Sequence, residues 1–362
     1  MAELQEEGIS FDSGREFYNP YMHLCRSFSS LVVGALPSVR VLDAFSASGI
    51  RGLRYAKENP NVCSLEMLDI SPGAVSLCRK NAEKNGIGAK AHEGEFNKFI
   101  IGKDGEYDLL EIDPFGSPAP YLYNAIRFLR FQKRGFLSVT ATDTAVLCGA
   151  HANACMRIYH SVPLHEEICH ETGVRILWKF ISQIAGEFEF GIVPLATLSH
   201  RHFFKIFLRL EKGAGKGVDC FRKTGYIVFC PHCRHREGRE VASQACPKCG
   251  KKAKWAGPLW LGELHDAETL GKMLLLNSRR DYAHREKLEG EMRLMEGEVG
   301  MPPYFFNIHS SCGKLGIQPP PRTETLLERL RNAGFRAART HFSPIGVKTD
   351  ADARSFAEAL RQ

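Results

Sequence analysis

Between Val39 and Asp143 the chain alternates apolar, strand-length runs with helix-patterned stretches, and this restricts the possible folds more than any other feature. Val39 to Phe45, Val62 to Ile70, Ala89 to Glu93, Tyr107 to Asp113 and Gly135 to Thr142 read as strands. Gly49 to Lys57, Gly73 to Asn85 and Pro120 to Phe131 read as helices between them. Ser71 and Pro72 mark a helix start: the serine oxygen caps a free N–H, and proline has no N–H to leave unpaired. Gly86 sits where a helix-terminating glycine belongs. Apolar strands joined through helices build a parallel sheet covered on both faces. The expected class is therefore α/β and Rossmann-like.

Downstream, Gly173 to Ala185, Asp266 to Gly297 and Thr323 to Ala333 (with Thr323 as cap) read as helices, and His202 to Leu210 as a strand. Lys212 to Gly217 is rich in glycine and lysine and reads as a linker. With 362 residues the chain is long for one domain and comfortable for two. The expected division is 1–215 for the α/β domain and 216–362 for a smaller α+β domain. Hydrophobic residues at 44% and charged residues at 25% are proportions of a globular chain with a core. The net charge of +7 suits a polyanionic partner without proving one. No apolar run approaches the roughly 20 residues of a membrane span. The segment Met1 to Asp12 is acidic and lacks the apolar stretch of a signal peptide. A cytoplasmic location is expected, and nothing suggests a dimer seam, so a monomer is expected.

In doubly wound sheets, ligands sit at the carboxyl ends of the strands. The first strand runs out into Asp43-Ala44-Phe45-Ser46-Ala47-Ser48-Gly49, where small residues let a ligand approach the backbone. The next strand ends in Asp69-Ile70, placing a carboxylate where it can accept from two ribose hydroxyls. The loop keeps Gly49 and Gly52 but is not the GxGxxG of phosphate-cradling sites. S-adenosylmethionine carries no phosphate and needs no such cradle, and Asp43 is placed to hold its cationic amine. A purely structural strand-to-helix turn is the alternative.

The fourth strand ends in Glu111-Ile112-Asp113-Pro114-Phe115-Gly116-Ser117-Pro118. An acid, a proline and an aromatic at a strand tip suit methylation of an exocyclic amine. The lone pair of such an amine is delocalised into its ring, so it needs acceptors for its N–H groups while the nitrogen pyramidalises. Asp113 and the carbonyl of Pro114 are those acceptors, and Phe115 stacks on the base. An Asp-Pro turn without catalytic meaning is the alternative.

Phe17-Tyr18-Asn19-Pro20, Leu42 to Gly52 and Asp113 to Pro118 together resemble the tRNA guanine N2-dimethyltransferases, which act on guanine 26 of tRNA. Thr140 to Asp143, Cys148 to His151 and Thr340 to Gly346 extend the resemblance over nearly the whole chain, and its compact size is similar to archaeal members. The resemblance implies a fold, S-adenosylmethionine-dependent activity and residue roles. Asp113 matches the catalytic aspartate, and Phe17 and Phe115 the aromatics that sandwich a guanine extruded from its stack. Arg26 and Arg51 match cofactor-site arginines, Asp69 the ribose acid, and Glu95 with Phe96 the adenine-contacting pair. Cys25, Ser27, Glu95, Phe96 and Glu111 depart from the family's usual residues, and the missing acid at Ser27 puts a hydrogen bond there in doubt.

Cys230-Pro-His-Cys233 and Cys246-Pro-Lys-Cys249 form two knuckles spaced for a tetrahedral, structural Zn²⁺ site within a ribbon over 226–255. The other eight of the 12 cysteines are scattered and read as small buried thiols. His232 and His235 are expected to face solvent or RNA rather than metal. Lysines and arginines from Lys212 to Lys254 make RNA contact plausible, beside the simpler reading of a solvated charged face. Two rival functions fit part of the pattern: an amino-methyltransferase acting on DNA, and a non-catalytic RNA-binding zinc protein on the same scaffold.

Overall fold

The computed structural model describes residues 3–14, 18–103 and 105–362. A short hairpin, β1 (Leu4–Glu6) and β2 (Ile9–Phe11), and helix α1 (His23–Ala35) precede the sheet. The alternating region follows as β3 (Val39–Asp43), α2 (Ile50–Glu58), β4 (Val62–Asp69), α3 (Pro72–Lys84), β5 (Ala89–Glu93), α4 (Phe96–Ile101), β6 (Leu109–Ile112), α5 (Ala119–Leu129) and β7 (Gly135–Ala141). Helices α6 (Thr144–Leu147), α7 (Ala152–Tyr159) and α8 (Cys169–Glu187) lead to the long strands β8 (Phe190–His200) and β9 (Phe203–Lys212).

These strands form one seven-stranded sheet in the order β5-β4-β3-β6-β7-β9-β8. The first four pairings are parallel, and β9 closes antiparallel on β7 and β8. Every residue of β6 and β7 is buried, as covering a sheet on both faces requires. The register sets Asp43 beside both Met67 and Glu111, so the carboxyl ends of β3, β4 and β6 lie level. Chain connections leave β3 and β6 in opposite directions, which opens a crevice between their ends.

The α/β expectation is met strand by strand, with additions. Helix α1 and strand β8 were not anticipated. The expected linker at 212–217 is instead the start of α9 (Ala214–Phe221), whose Cys220 is buried and accepts from the Ile192 amide. β10 (Thr224–Phe229), β11 (Arg236–Arg239) and β12 (Lys254–Trp260) form the ribbon's antiparallel sheet. The helix expected over 266–297 is broken into α10 (Ala267–Ser278) and α11 (Arg285–Glu298), because Tyr282 between them turns inward. β13 (Phe306–Asn307), α12 (Ile308–Leu315), α13 (Thr323–Asn332), β14 (Ala337–Thr340), β15 (Ser343–Thr349) and α14 (Ala353–Arg361) complete a mixed α/β module. Thr323 is the first residue of α13 and Arg322 stands at its cap.

The cores do not divide at 215. Leu270, Met273, Leu288 and Met292 pack in one core with Phe28 and Leu31 of α1. Ile227, Phe229, Leu259 and Trp260 join the core beneath β6 and β7. A separate core begins near Phe306 and includes Leu326, Val347 and Phe356. Among the described residues, no helix is long and apolar enough to cross a membrane.

Candidate active site

A cavity of about 860 Å³ opens at the carboxyl ends of β3, β4 and β6, toward the upper end of the range for small-molecule sites. Its wall includes Ser46, Asp69, Ile70, Arg26, Arg51, Asp113, Pro114 and Phe115 from the sequence reading. Phe17 lies outside the described residues.

The loop after β3 is built for close approach. Ser46 is tied to β4 through the carbonyl of Leu68, which accepts from its amide at 3.1 Å, and its Oγ accepts from the Leu68 amide at 3.0 Å. Gly49 turns the chain into α2 with a φ of 79°, and a Cβ there would meet the Met67 sulfur at 2.9 Å, so both conformation and space demand glycine. Asp69 accepts from the Ala47 and Ser71 amides, each at 2.9 Å. A carboxylate offers about four lone-pair sites, so Asp69 is locked in place with capacity left for two hydroxyls. Ile70, 69% exposed, stands beside it on the wall.

Asp43 is not on the wall. It is buried behind the loop, its Oδ2 accepts from the Gly52 amide at 3.0 Å, and its Oδ1 has no hydrogen-bond partner among the described residues. Burial, with Glu111 and Asp113 adding to it, pushes its carboxyl up to about 7 against the pull of Arg51. Glu95 and Phe96 are also not on the cavity wall. Glu95 caps α4, accepting from the Asn97 and Lys98 amides, and Phe96 is buried in the core against Phe45. The aromatic wall is instead Phe45 and Tyr121, in edge contact at 4.8 Å. Sequence reasoning passed over Phe45 because it lay inside a loop read for its small residues.

Beneath Asp113 lies a buried charge network. The Arg51 guanidinium donates to Asp113 and, at 3.3 Å, to Ser29. Glu111, wholly buried, accepts from Tyr55 at 2.7 Å and from Lys205, whose ammonium also donates to Thr140 at 3.0 Å. Burial opposes ionisation of Asp113. Arg51 and then Lys205 and Thr140 outweigh it, and the carboxyl is held below its ordinary range. Lys205 carried no signal in sequence, since a lysine in a strand reads as solvent-facing.

The loop bearing Phe115 is held from β7. Gly116, with a φ of 76°, donates to Thr142 at 2.8 Å, and Ser117 meets the Tyr159 hydroxyl at 2.6 Å. Tyr159 in turn donates to Asp143 at 2.8 Å. Phe115 is 79% exposed at the cavity rim. On the other side, Arg26 is clamped by Glu6 of the hairpin, and Arg54 donates to Glu6 at 2.8 Å and to Ser27 at 3.0 Å. The hydrogen bond put in doubt at Ser27 is thus present, with Arg54 as donor.

The cysteine pairs meet as expected. Cys230 and Cys249 sulfurs are 3.6 Å apart, Cys233 and Cys246 3.5 Å, and all four lie within 4.8 Å of one another. Tetrahedral coordination at about 2.3 Å places sulfurs about 3.8 Å apart, so the thiols fit a zinc ion. Neither histidine belongs to the cluster. His232 is exposed as expected, but His235 is buried beside Glu237, a correction to its expected solvent-facing place.

A parallel sheet with an antiparallel closing strand, a locked acid at the end of β4 and an Asp-Pro-Phe tip on β6 define a Rossmann-like methyltransferase. The family model described as N2,N2-dimethylguanosine tRNA methyltransferase matches residues 2–361. The chain belongs to that family. It is 35% identical over 361 residues to the tRNA (guanine(26)-N(2))-dimethyltransferase of Methanothermobacter thermautotrophicus, covering 95% of this chain and 92% of the relative. It is 37% identical to the protein of the same name from Thermococcus kodakarensis, covering 95% and 93%. The solved structure of Trm1 from Pyrococcus horikoshii with S-adenosyl-L-methionine is 33% identical and superposes with a TM-score of 0.91, over 99% of this chain and 100% of that one.

Proposed function

We propose that the chain transfers methyl groups from S-adenosylmethionine to the exocyclic N2 amine of guanine 26 in tRNA, giving N2-methyl- and N2,N2-dimethylguanosine. The observation that carries this reading is Asp113, ionised and fixed by Arg51, on the wall of the cavity beside Pro114 and Phe115.

The residues fit the cofactor. Asp69 has lone pairs left for the ribose hydroxyls, while Phe45, Ile70 and Tyr121 offer apolar surface for the adenine. Arg51 would hold the methionine end, and Arg26, already neutralised by Glu6, braces the wall. When bound, S-adenosylmethionine supplies an activated methyl group on a sulfonium. The chain's own contribution is positioning and fixed charge. Asp113 accepts one N–H of the guanine amine and the Pro114 carbonyl the other, which localises the nitrogen lone pair. Because Asp113 is held well ionised, it is a weak base. It takes the proton only after the nitrogen has become cationic, and then releases it to water. Phe115 covers one face of the base.

The four ribbon cysteines hold a structural zinc, and the part of the chain from 216 onward contributes tRNA contact. The closed set of four thiolates leaves no position for a substrate. Labelled S-adenosylmethionine, offered with tRNA transcripts carrying guanine or adenine at position 26, tests the substrate. Label recovered as N2-methylated guanosine from the guanine transcript alone is expected. Label on duplex DNA but not on tRNA would move the assignment to the rival amino-methyltransferase.

A further inference from the structure

Two exposed side chains that line the cavity have no part in the mechanism above. Tyr21 belongs to the short turn Pro20–Met22, which Asn19 caps by accepting from the Tyr21 amide at 2.9 Å. Its ring is 69% exposed. Arg201 sits at the tip of the β8–β9 hairpin with a φ of 50°, a left-handed conformation that costs an arginine and persists where the hairpin imposes it. Its guanidinium lies over the Tyr21 ring, 5.0 Å from the centroid. Both residues line the cavity.

Arg201 is exposed, and among the described residues no carboxylate pairs with it. Lys287 of α11 is likewise exposed, with Glu291 one turn on within reach of its charge. Both cations reach the same neighbourhood: His200 is held at about 4 by burial first and then by the charges of Lys287 and Arg201. Positive charge thus runs from the cavity mouth to Lys287, and Arg201 itself forms no ion pair among the described residues. An arginine packed on a tyrosine is a platform suited to a nucleotide: the ring offers a face for a base, and the guanidinium donates to a phosphate.

We propose that Tyr21 and Arg201 form a clamp for the RNA strand at the cavity mouth, Tyr21 stacking on the nucleotide next to the extruded guanine and Arg201 pairing with its phosphate, with Lys287 contacting the next stretch of backbone. The clamp rests on the tRNA reading given above. It explains how the strand beside an extruded base is held without a base-specific contact of its own.

The test is tRNA-transcript binding by the full chain at several salt concentrations, alongside cofactor titration and steady-state methylation. Arg201→Ala is expected to weaken tRNA binding several-fold and to flatten the slope of log affinity against log salt by about 0.7–0.9, one phosphate contact. Arg201→Lys is expected to keep the slope. Tyr21→Ala is expected to cost on the order of tenfold in KM with the slope unchanged, and Tyr21→Phe to restore it. Cofactor affinity and thermal midpoint, unchanged in all four variants, show that the fold is intact. Alanine variants with parental tRNA affinity and slope, in an enzyme that methylates tRNA normally, overturn the clamp alone. A parental enzyme that binds cofactor but neither binds nor methylates tRNA overturns the functional reading, and the clamp with it.

Discussion

The floor of the cavity and the cysteine ribbon each bury arginine against glutamate, yet only the floor leaves an acid facing open space. At the floor, Arg51 and Lys205 serve Glu111 and Asp113, and Asp113 lies on the cavity wall. At the ribbon, Arg234 and Arg236 both meet Glu167, and Arg236 is sandwiched between Phe229 and Phe306. Burial draws the Arg236 guanidinium down to about 10 against the pull of Glu167. That cluster fastens the ribbon to the chain before α8 and to the C-terminal module; nothing reactive is displayed. A buried ion network adds little net stability on its own account, because desolvation offsets the Coulombic gain. Where it holds a carboxylate ionised beside a cavity, it has a chemical consequence that the ribbon's network lacks.

The comparison breaks first at Asp113. Asp113→Ala is expected to lower single-turnover methyl transfer by on the order of 10²–10³, while cofactor affinity, followed by titration, stays within about threefold. If the floor and ribbon were interchangeable in function, turnover would survive. Next come the buried partners. Glu111→Gln strips the charge partner of wholly buried Lys205, and denaturant unfolding is expected to show a loss of roughly 3–5 kcal/mol, the cost of a buried pair left with one member. Removing the ribbon metal by chelation, or Cys246→Ser, is expected to lower the thermal midpoint without changing cofactor affinity. Metal analysis should find about one zinc per chain, and purified protein without zinc sinks that half of the comparison.

A pH series sharpens it further. Glu6, clamped by Arg26 and Arg54, is held at about 2 against an ordinary 4.5, because the two arginines outweigh its burial. A depressed carboxylate stabilises the fold fully above its unfolded value and loses that contribution as pH falls toward the folded one. Stability is therefore expected to fall by roughly 3 kcal/mol between pH 5 and 2 on account of Glu6, and Glu6→Gln should flatten that part of the curve. The smallest effect is expected at Asp43: Asp43→Asn keeps an acceptor for Gly52 and should shift stability at pH 7 by no more than about 1 kcal/mol.

The sheet was legible because its strands are buried on both faces and their helices carry caps such as Ser71, which accepts from Ala74 as its position predicted. Asp69 and Asp113 on the wall followed from their places at strand ends, although Asp43 at the end of β3 did not reach it, and the cysteine cluster followed from spacing. What stayed hidden arises from long-range packing. Lys205 reaches Glu111 across 94 positions of sequence, and Tyr21 meets Arg201 only because a hairpin tip folds over the mouth. Glu95 and Phe96 stand off the cavity wall for a local reason: a glutamate just before a helix is drawn to its free amides, and the phenylalanine after it to the core. The apolar faces of α10 and α11, which complete the core on α1, were likewise not legible.

The central claim is that the cavity is aimed at an N2 amine. The most direct test is methyl transfer from labelled S-adenosylmethionine to two tRNA transcripts that differ only at position 26, one with guanine and one with hypoxanthine, which lacks the 2-amino group. Label on the guanine transcript alone, released as N2-methylated guanosine, is the predicted result. Equal label on both would place the reacting atom elsewhere and contradict the role given to Asp113.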